Sequence, residues 1–262
     1  MRSDPDQRPT VEPLDEPLDE PIVEPTDRPL EGVADRTDEP AAVHALDVET
    51  DTTEDGLDPR VSRVVAVAVA SPDGDVVFDD ADETELLARL DRHLGALGPG
   101  VLATWNGAAF DLPFLADRAA AAGAPVALRL AADPAWRVRE PLPGHAGAYR
   151  ATWHGLAHLD AYRVFRADVA PALGMSCSLK TVARLVGLQP ITVDAGRLHL
   201  LDDEVVRAYV ASDARCTREL VLRRWPSMRG AVDRLAGPPV AATARPGAVA
   251  APAAPTTPGG AS

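Results

Sequence analysis

The chain of 262 residues contains little lysine, little cysteine and few aromatic residues. Lys180 is the only lysine, and Phe, Tyr and Trp together make up 4% of the sequence. Two cysteines, Cys177 and Cys216, are too few for a disulfide framework or a zinc site built from cysteine only. We expect both to be small core or half-buried thiols, which is consistent with a reducing compartment.

Long apolar runs are also absent from the sequence. No uninterrupted stretch approaches the roughly 20 apolar residues that cross a bilayer. The first five residues, MRSDP, lack the basic and then apolar pattern of a signal peptide. The sequence therefore predicts a cytoplasmic protein that does not associate with a membrane.

Proline is concentrated at the two ends of the chain. Residues 1–40 hold eight prolines and 13 acidic against 4 basic residues, and residues 237–262 hold six prolines and one charged residue, Arg245. Neither segment has enough apolar content for a core, so both are predicted to be disordered tails. The prolines of the first tail recur at every fourth residue, which disfavours an SH3-type ligand and leaves solubility or a partner tether as its role.

Residues 41–236 hold nearly all the valine, leucine and aromatic content, and we predict that they form one folded domain. Removing the tail charges of −9 and +1 from the total of −14 leaves −6 on this segment. Alternating and helical apolar spacings predict strands at 43–49, 63–70, 76–78, 101–104 and 156–159, and helices at 82–97, 112–122, 178–185 and 202–225. This order predicts an α/β fold with a mixed five-stranded sheet flanked by helices.

Asp47 and Glu49 stand two residues apart on the first predicted strand, so both carboxylates leave the same face of the sheet. Two negative charges at that range repel each other and force one group to protonate unless a cation lies between them. The pair therefore suggests a hard divalent metal. In so acidic a chain, a structural or solvent-facing pair is the alternative.

A polar loop follows the fourth predicted strand. Residues 105–111, WNGAAFD, turn sharply into a helix whose first turn holds Asp111. An acid at a helix N-terminus is also a common cap, which is the alternative interpretation of Asp111. Asn106, Phe110 and Asp111 nevertheless form a longer and rarer pattern than a pair of acids.

The last predicted helix carries a third polar pair. Tyr209 and Asp213 are one turn apart and share a partly buried face. A semi-buried aspartate is unfavourable unless a positive group meets it. One interpretation is that a cation meets Asp213. The alternative is that Asp213 is a surface residue close to Arg215 or Arg218.

Together these segments resemble the three exonuclease motifs in the proofreading domain of family B DNA polymerases. That domain belongs to the DEDDy branch of the DnaQ-like, ribonuclease H-like 3′–5′ exonucleases. The segments are LDVET at 46–50, TWNGAAFDLPFL at 104–115 and YVASD at 209–213, with HLDAYRVF at 158–165 and CSLKTVARLVGL at 177–188 similar to the intervening strand and helix. The tyrosine branch is indicated because Tyr209 lies four residues before Asp213, whereas Ala208 lies where the DEDDh branch has histidine.

The resemblance implies a ribonuclease H-like fold and a two-metal-ion mechanism. It implies that two Mg²⁺ or Mn²⁺ ions are held by Asp47, Glu49, Asp111 and Asp213. Tyr209 would orient the attacking water, since a phenol pKa near 10 argues against a dominant general base. The residues similar to substrate-binding positions are Thr50, Asn106, Phe110 and Lys180; core packing of Phe110 and a solvated Lys180 are the alternatives.

A basic and aromatic segment spans residues 129–166, where six arginines accompany three acidic residues. Interleaved basic and aromatic residues are typical of a surface that guides a single strand, although a loop packed on the sheet explains the aromatics as well. A metal site at His154, His158 and Asp160 is disfavoured, because the predicted strand separates the directions of the histidines.

The sequence thus predicts a metal-dependent 3′–5′ exonuclease that acts on single-stranded or frayed 3′ ends of DNA. Fewer than 40 residues follow the third motif and most of them are tail, so we expect it to be free-standing, or to work beside a polymerase or repair protein. One alternative is a ribonuclease that trims RNA 3′ ends with the same site. The other is a catalytically silent nucleic-acid-binding module, which has no physical need for four converging carboxylates.

Overall fold

A mixed sheet of seven strands forms the centre of the fold in the computed structural model, which describes residues 42–235 and the side chains of 42–231. The predicted tails at 1–40 and 237–262 lie outside the described residues. The strands are β1 Ala42–Thr50, β2 Val64–Ser71, β3 Gly74–Phe78, β4 Gly100–Thr104, β5 Arg129–Ala132, β6 Tyr149–Trp153 and β7 Leu156–Asp160. Their order in the sheet is β3-β2-β1-β4-β7-β6-β5.

The central strands β1, β4 and β7 are parallel to one another, and the outer pairs are antiparallel. The predicted α/β class with a mixed sheet is confirmed. Because parallel neighbours end at the same edge of a sheet, the loops that follow β1, β4 and β7 lie close together. Two of the three polar motifs found in the sequence lie at this edge, and the third lies on a helix.

The sheet contains seven strands rather than the predicted five. The additional strands, β5 and β6, lie in a stretch for which the sequence pattern predicts no regular structure. Three of the four residues of β5 are exposed, and β6 has only five residues, so neither provides a long alternating apolar pattern. They pair with each other, and β6 pairs with β7, so both extend one edge of the predicted sheet.

Six α-helices cover the sheet in the described part of the chain. They are α1 Glu83–Ala96, α2 Asp111–Ala122, α3 Ala161–Leu173, α4 Leu179–Leu185, α5 Asp203–Arg223 and α6 Trp225–Leu235, with a 3-10 helix at Ala195–Leu200. The side chains of Asp82 and Ser178 accept hydrogen bonds from the first turns of α1 and α4, which explains why these two helices start where predicted. None of the helices within 42–235 is apolar over the length needed to span a membrane.

Two helical regions differ from the prediction. The long helix predicted over 202–225 ends at Arg223, and α6 follows it. The segment HLDAYRVF resembles a strand of the family, but in this protein strand β7 ends at Asp160. The carboxylate of Asp160 accepts a hydrogen bond from the N–H of Tyr162 and caps α3, so the second half of the segment is helical.

Helices pack on both faces of the sheet. Side chains of α1 and α2, including Leu90 and Leu112, form one core with Leu46 of β1. On the opposite face, α3 to α6 form a second core that includes Val43 and Ala45 of β1. Since side chains alternate along a strand, residues 47 and 49 also point to the α5 face.

Small side chains separate α5 from the sheet. Helix α5 contacts β1 and β2. The cluster between α5 and β2 consists of Ala66, Ala68, Ala70, Val210, Ala211 and Ala214, all buried. Because the distance between packed elements depends on the size of the side chains at the contact, this cluster holds α5 close to the strands.

Candidate active site

Three carboxylates from distant parts of the chain meet between β1 and α5. Asp47 and Glu49 come from β1, and Asp213 comes from the buried face of α5. One oxygen from each carboxylate lies within 4.8 Å of the other two. Asp47 and Glu49 are half-buried and Asp213 is 6% exposed, so the three charges lie close together and are partly shielded from bulk water.

Asp111, the fourth predicted acid, is the first residue of α2 and is buried. It lies outside the group of three converging oxygens, but its charge acts on both Asp47 and Glu49. The backbone N–H groups of Asp111 and Val48 stabilise its ionised form. Phe110 occupies the cap position of α2, so a capping role does not account for the burial of Asp111.

Burial raises the pKa of all four carboxyl groups. It raises the pKa of Glu49 to about 8, with further contributions from Asp213 and Asp111, and the pKa of Asp111 to about 7. Burial and the charges of Glu49, Asp213 and Asp111 raise the pKa of Asp47 well above its usual value. The pKa of Asp213 is raised by burial, against the opposing effect of Lys180. Oxygen ligands that repel one another in this way fit a divalent cation of the Mg²⁺ type.

Lys180 brings one positive charge to the cluster. Its Nζ atom contacts Oδ1 of Asp213 and lies 4.2 Å from the centre of the Tyr209 ring. The side chain of Lys180 is 18% exposed, so the alternative of a solvated helix lysine is wrong. Asp213 therefore has a cationic partner from α4.

The two arginines considered as partners of Asp213 have other contacts. Arg215 pairs with Asp75 at 3.2 Å. Arg218 donates a hydrogen bond to the backbone carbonyl of Val43 at 2.9 Å. The alternative in which Asp213 is a surface aspartate paired with its own helix is therefore wrong.

Tyr209 lies one turn before Asp213 and is buried. Burial, followed by the charges of Glu49, Asp213 and Asp47, raises the pKa of its phenol far above the usual value. The phenol therefore keeps its proton at neutral pH and can donate a hydrogen bond. Ala208 is exposed, so α5 presents residue 209 and not residue 208 to the acids.

The loop between β4 and α2 is held by Asp160, a residue whose role is not evident from the sequence. Its Oδ1 accepts a hydrogen bond from the N–H of Asn106 at 2.9 Å, and its Oδ2 accepts one from the N–H of Ala108 at 3.2 Å. Asp160 is paired with Thr104 across the parallel strands β7 and β4, which brings its carboxylate to this loop. The sequence does not reveal this role, because the contact depends on strands far apart along the chain.

A second buried contact supports the same loop. Oγ1 of Thr104 lies 2.8 Å from Nε2 of His158 and accepts a hydrogen bond from the N–H of Gly107 at 3.1 Å. Burial lowers the pKa of His158 to about 3, so the ring is neutral. His154 pairs instead with Asp91 at 3.0 Å. The described residues therefore do not assemble the disfavoured metal site at these histidines.

The predicted substrate residues have different environments. Thr50 is buried and donates a hydrogen bond from Oγ1 to the carbonyl of Gly56 at 2.6 Å. Phe110 is half-buried, with its ring centre 5.5 Å from that of Phe114. Asn106 is half-buried in a left-handed turn with φ of 72°. Asn106 and Phe110 thus retain exposed surface in the loop that leads to Asp111, although Phe110 also packs against the core, whereas the Thr50 hydroxyl is engaged within the protein.

Part of the basic segment at 129–166 is used inside the fold. Buried Asp133 pairs with Arg163 at 2.6 Å and with Arg150 at 3.4 Å. The guanidinium of Arg163 also lies 4.8 Å from the centre of the Trp136 ring. These arginines hold the loop between β5 and β6, which agrees with the alternative of a loop packed on the sheet.

The sequence and the fold are both similar to parts of family B DNA polymerases. The family model described as DNA polymerase family B, exonuclease domain, matches residues 21–182. The catalytic polypeptide of DNA polymerase epsilon from Schizosaccharomyces pombe is 30% identical over 152 residues, which are 56% of this chain and 6% of that protein. Its counterpart from Eremothecium gossypii is 31% identical over 119 residues, 45% of this chain and 5% of that protein.

These relatives are much longer than the chain, which spans only about 6% of their length at most. A solved structure of the family B DNA polymerase from the hyperthermophilic archaeon Pyrobaculum calidifontis matches with a TM-score of 0.58 and 21% identity. The match covers 75% of this chain and 27% of that polymerase. At 21% identity, this match shows similarity of the fold alone.

Proposed function

Because the chain belongs to the exonuclease-domain family of family B DNA polymerases, we propose that it is a metal-dependent 3′–5′ exonuclease acting on single-stranded or frayed 3′ ends of DNA. The observation that carries the proposal is the convergence of Asp47, Glu49 and Asp213, with carboxylate oxygens within 4.8 Å of one another. DNA is favoured over RNA as substrate because the matched relatives are DNA polymerases.

The acidic residues would hold two divalent ions. Asp47, Glu49 and Asp213 would bind one ion, and Asp47 with Asp111 would bind the other. Carboxylate oxygens suit Mg²⁺ or Mn²⁺, whereas zinc sites are richer in histidine and cysteine. When bound, such ions stabilise the charge on the attacking and leaving oxygens of phosphodiester hydrolysis.

The remaining residues of the site would bind the substrate and orient the attacking water. Tyr209 keeps its proton and would position the attacking water through its hydroxyl, because its raised pKa makes it a poor base. Asn106 and Phe110 would hold the terminal nucleotide, and Thr50 would support the adjacent end of strand β1. Lys180, the cation that contacts Asp213, would bind a phosphate.

We further propose that the exonuclease site is complete within this chain. All four carboxylates come from its own β1, α2 and α5. No ligand from another domain is needed to complete the acidic set. The enzyme would work by itself or beside a polymerase or repair protein that supplies frayed ends.

Neutralising one metal ligand tests the proposal directly. Purified protein should shorten single-stranded DNA from the 3′ end in Mg²⁺ or Mn²⁺, and Asp213→Asn should reduce this rate by about a hundredfold or more. Asp203→Asn is the matched control, because Asp203 is an exposed acid in the first turn of the same helix. Gel analysis of 5′-labelled strands gives both the rate and the polarity.

Three results would contradict the proposal. Full activity in EDTA would show that the reaction needs no divalent metal. Equal activity of Asp213→Asn and the parent protein would remove the role of the acidic cluster. Faster degradation of a matched RNA strand than of the DNA strand would contradict the proposed substrate.

A further inference from the structure

Three polar side chains form a chain of hydrogen bonds outside the acidic site. Nε2 of His145 lies 2.9 Å from Oδ2 of Asp117, and Nδ1 of His145 lies 2.7 Å from the hydroxyl of Tyr149. We propose that His145 is a positioning residue, which through these contacts holds Asp111 in place for the second of the two proposed metal ions. The inference rests on the proposed exonuclease function and adds the residue that fixes one of its metal ligands.

The start of α2 has little local support. Phe110 occupies the cap position, and its side chain makes no capping hydrogen bond to the first turn of the helix. A helix end without a side-chain cap is less stable than a capped one. Asp111 is the first residue of this helix. The position of its carboxylate therefore depends on contacts with other parts of the chain.

The contacts of His145 and Tyr149 hold the segment around Asp111 at both ends. On one side of Asp111, the backbone N–H of Tyr149 donates a hydrogen bond to the carbonyl of Ala108 at 2.8 Å. On the other side, His145 reaches Asp117, which lies on α2 six residues after Asp111, or roughly 9 Å along the helix axis. A tilt or rotation of α2 that moved Asp111 would therefore break at least one of these contacts.

His145 is itself held firmly in the loop between β5 and β6. Its side chain is 10% exposed, and its backbone N–H donates a hydrogen bond to the carbonyl of Leu142 at 2.9 Å. Leu142 is buried in the core that α2 shares with the sheet. The rings of His145 and Tyr149 meet edge to face, with centres 5.3 Å apart and planes at 88°. These contacts keep the imidazole in the orientation that reaches both of its partners.

The chemistry of the three groups assigns the direction of both hydrogen bonds. An ionised carboxylate can only accept, so Nε2 of His145 carries the proton that it donates to Asp117. In the neutral imidazole, Nδ1 then accepts a hydrogen bond from the hydroxyl of Tyr149. Burial and the charge of Asp117 raise the pKa of Tyr149, so the phenol keeps the proton that it donates. Every polar atom of the three side chains that faces the others is therefore used.

Calorimetric titration with Mn²⁺ tests the positioning role without turnover. The parent protein should bind two ions, and His145→Ala should weaken the binding of one of them about tenfold, which is typical for loss of a group that supports a metal ligand. The other ion should bind as before, because Asp47, Glu49 and Asp213 come from β1 and α5. Binding of a single ion by the parent protein would overturn the two-ion set on which the inference depends.

Two conservative variants separate the two contacts of the imidazole. His145→Gln can still donate an amide N–H to Asp117, because the amide lies about where Nε2 lies, whereas the shorter side chain of His145→Asn can reach only Tyr149. The glutamine variant should therefore keep most of the affinity for the second ion, and the asparagine variant should behave like His145→Ala. The opposite order would contradict the role of the contact with α2.

The matched control is His154→Ala. His154 pairs with Asp91 at 3.0 Å, so this variant also removes a contact between a histidine and an aspartate. It lies in the turn between β6 and β7, at the opposite end of these strands from Tyr149 and Asp160. His154→Ala should bind both Mn²⁺ ions like the parent protein, even if it is less stable. Equal weakening of one ion in the two alanine variants would show a general effect of destabilisation and would overturn the positioning role.

Amide hydrogen exchange in EDTA gives a second readout that involves no metal. In the parent protein, the N–H groups of Leu112 and Phe114 donate to the carbonyls of Gly107 and Phe110 at 3.0 and 2.9 Å. His145→Ala should speed the exchange of both groups about tenfold, because the start of α2 opens more often, and should leave exchange in α5 unchanged. Unchanged exchange at the start of α2 would contradict the inference.

Failure of the positioning role and failure of the enzyme function are distinguishable. If the parent protein binds no Mn²⁺ and degrades no strand, the proposed function is wrong. If it binds two ions and degrades DNA, and His145→Ala binds both ions equally well, the positioning role is wrong and the nuclease remains.

Discussion

At the scale of single residues, Lys180 connects two parts of the site. Its ammonium contacts Asp213 and lies over the ring of Tyr209, so it offsets part of the negative charge that β1 and α5 bring together. A lysine in this position is close to both the proposed metal ligands and the proposed path of the substrate phosphate. Its two contributions, to the charge of the cluster and to substrate binding, can be separated by mutation.

Replacing Lys180 with methionine should affect substrate binding and not metal binding. Lys180→Met removes a positive charge beside Asp213, so Mn²⁺ should bind at least as tightly as before, whereas KM for DNA should rise about tenfold with the loss of a phosphate contact. Calorimetric Mn²⁺ titration and steady-state kinetics measure the two effects. Arg184→Met, an exposed cation on the same helix, should change neither; weakened Mn²⁺ binding with an unchanged KM in Lys180→Met would contradict the phosphate contact.

Local spacing predicted the residue pairs of the site but not their assembly. Strand alternation placed Asp47 and Glu49 on one face, and helix periodicity placed Tyr209 and Asp213 on another. The convergence of the two pairs depends on the packing of α5 across β1, which local spacing does not contain. The pairing of Lys180 with Asp213 is of the same kind, since α4 and α5 meet only in the folded chain.

At the scale of elements, the turn between β4 and α2 depends on close packing around one glycine. A Cβ atom on Gly107 would lie 2.3 Å from Oγ1 and 2.5 Å from Cβ of Thr104. Thr104 is fully buried and is held by His158, so it cannot move aside easily. The turn then leads directly into Asp111 at the start of α2.

Gly107→Ala should therefore damage both the stability and the activity of the protein. We expect a loss of roughly 1–3 kcal/mol in the free energy of unfolding, because the added methyl group overpacks a buried contact. The rate of DNA cleavage should fall as Asp111 is displaced. Urea unfolding and a cleavage assay measure these effects.

Gly98→Ala is the control for the glycine substitution. A Cβ atom at Gly98 meets no atom within 4 Å, so this variant should unfold and cleave like the parent protein. If Gly107→Ala behaved like Gly98→Ala, the turn would be more adaptable than its contacts indicate.

Elements with strong local signals were predictable, and those defined by tertiary pairing were not. The apolar spacing and caps of α1 and α4 locate these helices from the sequence. Strands β5 and β6 are short and largely exposed, and they exist because β7 provides a partner. Helix α3 was missed because its first residues continue an apolar pattern that also fits a strand.

At the scale of the whole molecule, the buried acids link folding to pH. In the folded protein without bound metal, the pKa is about 8 for Glu49 and about 7 for Asp111, well above the values of 4.5 and 3.8 that these groups have when unperturbed. At pH values between the unperturbed and the raised pKa of each group, the folded state binds more protons than the unfolded state. The contribution of these two acids to stability is therefore greatest at low pH within this window and decreases as the pH rises and the groups ionise.

The free energy of unfolding in EDTA should fall as the pH rises from about 7 to about 9, a range in which His158 is neutral in both the folded and the unfolded state and no longer opposes the effect of the acids. Added Mg²⁺ or Mn²⁺ should reduce this dependence, because a cation stabilises the ionised carboxylates of the folded state. Denaturant unfolding at a series of pH values, with and without metal, provides the measurement. Glu49→Gln should flatten the profile in EDTA; a free energy of unfolding that rises over this pH range in the parent protein would show that these acids are not buried as a group.

The alanine-rich contact between α5 and β2 has a consequence for the dimensions of the catalytic centre. Asp213 stands on a helix whose distance from the sheet is set by small side chains that are not among the proposed metal ligands. Each bulkier side chain at those positions would move one ligand away from the others and widen the coordination sphere. The spacing of the proposed metal ligands is thus determined partly by residues that contribute no ligand atom.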